Sequence, residues 1–317
     1  MKIYYDLENI RISQSIITVG TFDGVHLGHQ YLIETLVKRA KEQNLESVVF
    51  TFDPYPQEVF GTGPTEETLL STISEKVEVM RKLGVDHLVV YPFSKAFASL
   101  TSSEFISDFL VSKLSLKYLL LGYDHKFGRD KESSVSHLQK LGDRLGFEVS
   151  RLDQKRVADV DLSSSIIRKE LQEGNVKMVR ELLGRTYSVS GKVVTGKQIG
   201  RTIAFPTANL QVNDSRKMLP KKGVYAVVVC VDGHNYKGML NIGVRPTIED
   251  NRTVKTIETH IFDFDMDIYH KELSLFFVER IRDEKKFDSL KSLTTQLERD
   301  AQQCHDLFHK INLNIFN

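Results

Sequence analysis

The stretch that most constrains this chain is Gly20–Gln30, GTFDGVHLGHQ. It follows Ile16-Ile17-Thr18-Val19, an apolar β-branched run that reads as a buried strand. It precedes Leu32, Leu36, Val37 and Ala40, which recur at helical spacing with Glu34, Lys38, Arg39 and Lys41 between them. A strand, a glycine-bearing turn and a helix therefore follow one another. Gly20, Gly24 and Gly28 let the backbone turn sharply and approach a ligand closely. Free N–H groups at a helix start attract anions, and the helix dipole adds to the attraction. His26 and His29 fall at that start, with Phe22 and Asp23 inside the turn. The pattern points to a bound phosphate. Two other readings stay open from these residues alone: a zinc site, for which a third ligand is lacking nearby, and a plain polar turn.

A chain of 317 residues is long enough for two domains. Its formal charge of +1 argues against a dedicated nucleic-acid binder, which carries a strong basic excess. Cys230 and Cys304 are too few for a disulfide framework, and Cys230 sits in an apolar run that reads as core. The first residues, MKIYYDLENI, have no apolar signal-peptide core, and no run approaches the roughly 18 apolar residues of a membrane span. A cytoplasmic protein without membrane or nucleic-acid partners is expected; the oligomeric state is left open.

After the opening unit, strands and helices alternate. Strands are expected at 46–52, 86–91, 117–122 and 147–151, and helices at 74–83 (capped by Ser74), 102–114 and near 135–145. Such alternation predicts a parallel sheet covered on both faces, with ligands outside the carboxyl ends of strands. Three polar groups fall at such ends: His26 with His29, Thr51-Phe52-Asp53-Pro54, and Gly122-Tyr123-Asp124. Asp53 and Asp124 are also ordinary turn formers. Ser163-Ser164-Ser165-Ile166-Ile167-Arg168 opens another helix. Its serines are either simple caps or, with Arg168, a second anion site, since the guanidinium fork matches phosphate oxygens.

From Tyr187 onward the character changes, and a boundary is placed at 183/184. Strands are expected at 225–231, 236–242, 256–262 and 273–280, with Asp232-Gly233 as a hairpin turn, which suggests a small antiparallel barrel. Leu290, Leu293, Leu297, Ala301, Cys304 and Phe308 trace one face of a closing helix. Gly196, Lys197, Gly200 and Arg201 form a basic glycine loop. In Pro206-Thr207-Ala208-Asn209, a hydroxyl and an amide oxygen suit magnesium, although the run also reads as a capped turn. Glu258 alternates with Ile257 as in any half-buried strand.

GTFDGVHLGHQ resembles the His-x-Gly-His signature of the nucleotidylyltransferase superfamily, and SSSIIR at 163–168 resembles the element paired with it. With TFDP at 51–54, LGYD at 121–124, LLGRTYSVSGKVV at 182–194, FPTANL at 205–210, GVYAV at 223–227, NIGVRPT at 241–247, IETHIFDF at 257–264 and IRDEKKFDSL at 281–290, the similarity spans nearly the whole chain. It is to the bifunctional bacterial riboflavin kinase/FMN adenylyltransferases, also called FAD synthetases. The resemblance implies a Rossmann-like adenylyltransferase domain, 1–183, and a six-stranded kinase barrel with a terminal helix, 184–317. It implies ATP as co-substrate, riboflavin and FMN as substrates, FAD as product, and Mg2+. In the first half it implies catalytic His26, His29 and Arg168, phosphate-binding Gly20, Phe22, Asp23, Gly28, Ser163, Ser164 and Ser165, and flavin-binding Asp124 and Phe127. In the second it implies ATP-binding Gly196, Lys197, Gly200, Ala204 and Pro206, metal-binding Thr207 and Asn209, Glu258 as base, and Arg282 on the flavin side.

The chain departs from the family pattern at several places. His125 and Lys126 stand where the family has Phe and Arg, Tyr55 where it often has His, Ser165 and Ile166 where it has Thr and Arg, and Ala204 where it has Gly. Lys131–Val135 lacks the usual glycine. An alternative follows: a kinase-only or flavin-binding regulatory protein with a degenerate first half.

Overall fold

Six parallel strands order the first half of the chain. The computed structural model describes residues 1–61, 68–123, 134–153, 156–157, 160–196, 200, 203, 205–246 and 253–310, with backbone alone at 156–157, 160–161, 245–246 and 253–254. They divide into two compact units, Met1–Ser164 and Ser165–Asn317.

In the first unit the strands are β1 (Lys2–Tyr4), β2 (Ser15–Val19), β3 (Glu46–Phe52), β4 (His87–Tyr91), β5 (Leu116–Leu121) and β6 (Glu148–Arg151), in the order β1-β4-β3-β2-β5-β6. The helices are α1 (Leu27–Glu42), α2 (Pro56–Val59), α3 (Ile73–Lys82), α4 (Lys95–Ala98), α5 (Ser102–Phe105) and α6 (Val135–Leu145). Side chains alternate between two apolar layers: Ile17, Val48, Phe50, Leu119 and Leu121 pack on one face, Ile16, Val49 and Leu120 on the other. Both faces are buried, so the strands read as unbroken apolar runs. The order in which strands are added reverses at β2, which lies between β3 and β5. The crevice beyond its carboxyl end is where open parallel sheets take ligands.

The expected helix capped by Ser74 starts one residue earlier. Thr72 is the cap and makes a reciprocal box with Glu75, because its hydroxyl reaches the orphan amide of the third helical residue. The expected 102–114 helix is likewise capped by Thr101, boxed with Glu104, and widens into a π-helical turn at Ile106–Val111. Strand β1 and the ribbon β7 (Arg156–Val157) with β8 (Val160–Asp161) were not foreseen; they are too short to show a period.

Helix α7 (Ser164–Glu173), whose first residue closes the first unit, and α8 (Val176–Leu183) of the second unit are separated at Gly174, whose φ of 82° ends the first of them. Strands β9 (Ser188–Val194), β10 (Ala208–Val212), β11 (Gly223–Val231), β12 (His234–Pro246), β13 (Thr253–Ile261) and β14 (Glu272–Arg282) close into an antiparallel barrel, order β10-β13-β12-β11-β14-β9. Helix α9 (Leu290–Phe308) lays Cys304 and Phe308 against Ala226, Val228, Met239 and Val278 outside the barrel wall. Leu290 is exposed rather than part of that face, and Cys230 is half-buried. The α7 and α8 segment is tied to this unit: the Lys221 amide donates to the Leu171 carbonyl at 2.8 Å, and Lys177 pairs with Glu279 at 2.8 Å. Among the described residues, no helix is long and apolar enough to cross a membrane.

Candidate active sites

The turn after β2 is built from unusual backbone. Phe22, Gly24 and Val25 have φ of 47°, 77° and 38°. For Phe22 and the β-branched Val25 such a conformation costs about 1–3 kcal/mol each and needs surroundings that enforce it. The Phe22 ring is buried and meets the His29 ring edge-on at 5.3 Å. A Cβ at Gly20 would fall 3.0 Å from that ring.

His26 is the N-cap of α1, and its Nδ1 accepts from the His29 amide at 3.3 Å. That bond puts the imidazole proton on Nε2. The His26 and His29 rings stack at 3.6 Å. Gly28 makes room for the stack, since a Cβ there would lie 3.1 Å from the His26 ring. Two imidazoles thus lie side by side at a helix N-terminus, an arrangement that favours an anionic ligand.

Asp23 is 2% exposed. Its carboxylate accepts from the Leu70 and Ser71 amides at 3.0 and 3.1 Å and from the Tyr55 hydroxyl at 3.2 Å. It therefore holds the turn in place. Burial, with the Asp23 charge beside it, pushes the Tyr55 phenol well above its ordinary range. Ser164 Oγ, at the end of the first unit, donates to the Asp23 carbonyl at 2.9 Å. Arg168, in the second unit, is half-buried. Ser163 is half-buried and Ser165 exposed. Asp124, Phe127, His125 and Lys126 lie outside the described residues.

The barrel brings distant residues into one row. Asn209 on β10 is paired with Glu258 on β13, Glu258 with Asn241 on β12, Asn241 with Val224 on β11, and Val224 with Arg282 on β14. Directly opposed residues share a face, with Cβ atoms roughly 4.5–5.5 Å apart. Glu258 thus has an amide side chain on each side of it. Thr207 stands two residues before Asn209, immediately ahead of β10. A Cβ at Gly196 would fall 2.2 Å from Asn209 Nδ2, so the loop after β9 lies directly against that amide. At Gly200 a Cβ would strike the Phe205 carbonyl at 2.1 Å. Lys197 and Ala204 lie outside the described residues.

His260 is a residue that sequence reasoning passed over. Its Nδ1 donates to the Pro206 carbonyl at 2.8 Å, and its ring meets Phe205 and Phe262 edge-on. Burial holds its pKa below the ordinary imidazole value of 6.5, so it is neutral and anchors the turn ahead of Thr207. Period-two alternation was the sole sequence signal for it. Arg282 is clamped by Asp300, which is 1% exposed, through bonds of 2.6 and 2.9 Å. Its Nη1 donates to the Asp283 carbonyl at 2.9 Å. Arg282 therefore fixes where the chain leaves β14 for the loop before α9. Among the described residues, no cluster of three His, Cys, Asp or Glu side chains could hold a metal. The hydroxyl and amide oxygens of Thr207 and Asn209 are the kind magnesium takes, alongside phosphate and water oxygens.

Comparison with known proteins covers both halves of the chain. The FAD synthetase family model matches residues 9–166, and the riboflavin kinase family model matches residues 183–308. A bifunctional riboflavin kinase/FMN adenylyltransferase of Escherichia coli (strain K12) is 37% identical over 294 residues, 92% of each chain. One from Bacillus subtilis (strain 168) is 35% identical over 301 residues, 94% of each chain. A crystal structure from Streptococcus pneumoniae, titled a macrolide-efflux protein, superposes with a TM-score of 0.86 at 33% identity, covering 96% of this chain and 98% of that one.

Proposed function

The chain belongs to the bifunctional riboflavin kinase/FMN adenylyltransferase family, and from that premise we infer how its residues divide the work. The protein phosphorylates riboflavin to FMN with ATP, then adenylylates FMN to FAD with a second ATP, releasing pyrophosphate. What supports this reading is that one chain carries two polar clusters on two folds: the stacked His26/His29 pair beside the parallel sheet, and the Asn209–Glu258 pair on the barrel. The kinase-only or regulatory alternative is not supported, since both halves match catalytic families.

In the adenylyltransferase half, an FMN phosphate oxygen attacks the α-phosphorus of ATP, and the bond to the β-phosphate breaks. His26 Nε2–H, His29 and Arg168 neutralise the charge that builds on the phosphate oxygens, which is where such sites gain most of their rate. Gly20 and Gly28 allow close approach, Phe22 supports the His29 ring, and Asp23 keeps the turn. Ser163, Ser164 and Ser165 add donors at a helix start. Asp124 and Phe127 are assigned to the flavin.

In the kinase half, Glu258 accepts the proton of the ribityl hydroxyl as its oxygen attacks the γ-phosphorus and ADP leaves. Gly196, Lys197, Gly200, Ala204 and Pro206 line the nucleotide. Thr207 and Asn209 would hold Mg2+, which when bound shields the charge on the phosphate oxygens. Arg282 orders the flavin side. Action in the cytoplasm on small molecules alone completes the reading.

The test is one incubation of the full chain with ATP, magnesium and riboflavin, followed by chromatography. FMN should appear first and FAD after it. FMN without FAD at any FMN concentration would restore the kinase-only reading. The domain boundary has its own test. A fragment starting at 184 lacks Val176, Val179, Leu182 and Leu183, each 1% exposed or less, and should be less stable than one starting at 165, though both carry the kinase residues.

A further inference from the structure

Beneath the His26/His29 turn lies a buried amine that the sequence motifs do not mark. Lys76, in the first turn of α3, is 0% exposed. Its Nζ donates to the Thr21 carbonyl at 2.6 Å and to Thr51 Oγ1 at 3.2 Å, and lies 4.8 Å from the centre of the Tyr55 ring. Thr51 Oγ1 in turn donates to the same Thr21 carbonyl at 3.1 Å. Thr21 is the residue ahead of the left-handed Phe22. On the far side of Phe22, Asp23 is fixed by Leu70, Ser71 and Tyr55, and the Gly24 amide donates to Ser71 Oγ at 2.9 Å. Two anchors therefore enforce the strained backbone, and Lys76 is the cationic one.

We propose that Lys76 is a positioning residue for adenylyl transfer: clamped on Thr21 and Thr51, its ammonium holds the turn that aims His26 and His29 and sets a positive charge behind the phosphates. The proposal rests on the adenylyltransferase reading above. A purely structural role would be served better by Met, which fills similar volume without burying a charge.

Three ionisable groups face the ammonium: Asp23 from the turn, and Asp53 and Tyr55 from the segment after β3. Burial lowers the amine from 10.5 to about 8, with Asp23 and Asp53 pulling the other way. The ammonium is intact below about 8 and is lost as pH rises through that value. Below it, the folded state carries a charge that the unfolded chain holds more easily, so removing the amine should not lower stability at neutral pH.

The experiment follows FAD formation from FMN and magnesium-ATP by the full chain between pH 6 and 10, with FMN formation from riboflavin as the internal reference. Wild type should show an alkaline limb near pH 8 in FAD formation that is absent from FMN formation. Lys76→Met should lose about tenfold or more in kcat for FAD, lose the limb, and melt no lower than wild type at pH 7. A second variant, Thr51→Val, keeps the lysine but removes one acceptor, so the limb should move to lower pH. A folded Lys76→Met protein with the wild-type rate and limb would overturn the proposal, as would an unmoved limb in Thr51→Val. Wild type that forms no FAD at any pH would overturn the adenylyltransferase reading and this inference with it.

Discussion

The two candidate sites, each proposed to hold ATP phosphates, are assembled by opposite means. In the first unit the histidines are neighbours in sequence, and a left-handed turn and a helix start place them. In the second, Asn209, Glu258, Asn241 and Arg282 fall in one row across five paired strands, with Val224 between Asn241 and Arg282. A local site tolerates change elsewhere in the sheet but not within its own turn. A site built on register depends on strand pairing well away from it, since a slip of one residue would turn every side chain to the other face.

His29→Ala should have the largest effect and sets the independence of the two sites. FAD formation should fall about 10³-fold, as when a donor to a developing oxyanion is removed, while FMN formation persists in the same tube. A parallel loss of FMN formation would break the distinction.

Glu258→Gln is the mirror experiment. It keeps shape and register but cannot accept a proton, so FMN formation should drop about 10²-fold or more. Riboflavin binding, read by fluorescence quenching, and FAD formation from added FMN should both be retained. A Glu258→Gln protein as active as its parent would return Glu258 to an ordinary strand carboxylate.

The glycines sharpen the contrast at smaller scale. A Cβ at Gly196 would sit 2.2 Å from the Asn209 amide, whereas one at Gly28 would sit 3.1 Å from the His26 ring. Gly196→Ala must displace Asn209 and should raise the magnesium and ATP requirement of FMN formation about tenfold. Gly28→Ala asks the imidazole to give by tenths of an ångström, so FAD formation should change only severalfold. Initial rates against ATP concentration check both, and the reverse order would mean that the barrel loop is the softer site.

The smallest effect lies at the opposite end of β3. His87 Nε2 and Glu46 Oε2 are 2.7 Å apart. Although burial alone would raise it, the bonds from His87 and Ser13 bring the Glu46 carboxyl below its ordinary 4.5. The stabilisation is present above that value and lost as pH falls through the lower folded value. Since Glu46 is partly exposed, Glu46→Gln should cost only about 0.5 kcal/mol at pH 7. The difference from wild type should close in acid, and neither activity should move. Thermal melts at pH 7 and pH 3 read it.

The sequence by itself determined what near neighbours encode. Period-two and helical spacing gave the strand–helix alternation, the change of character after Leu183 and the barrel strands, because each element buries its own face. The histidine turn was legible because Gly20, Gly24, His26 and Gly28 act within one turn of chain. The cap of α3 was not legible in the same way: Ser74 is of the right residue type, but it is the Thr72 hydroxyl that reaches the Glu75 amide.

Tertiary structure alone decided the rest. Lys76 belongs to no motif, and its partners lie 55 and 25 positions away. Arg282 was expected on the flavin side by resemblance alone, and nothing in the sequence showed that a buried Asp300 from α9 holds it. Helices α7 and α8 read as the end of the first half but bond to β14 and to the segment before β11. In each case the side chain's role depends on what burial leaves beside it, and burial belongs to the assembled fold rather than to any window of sequence.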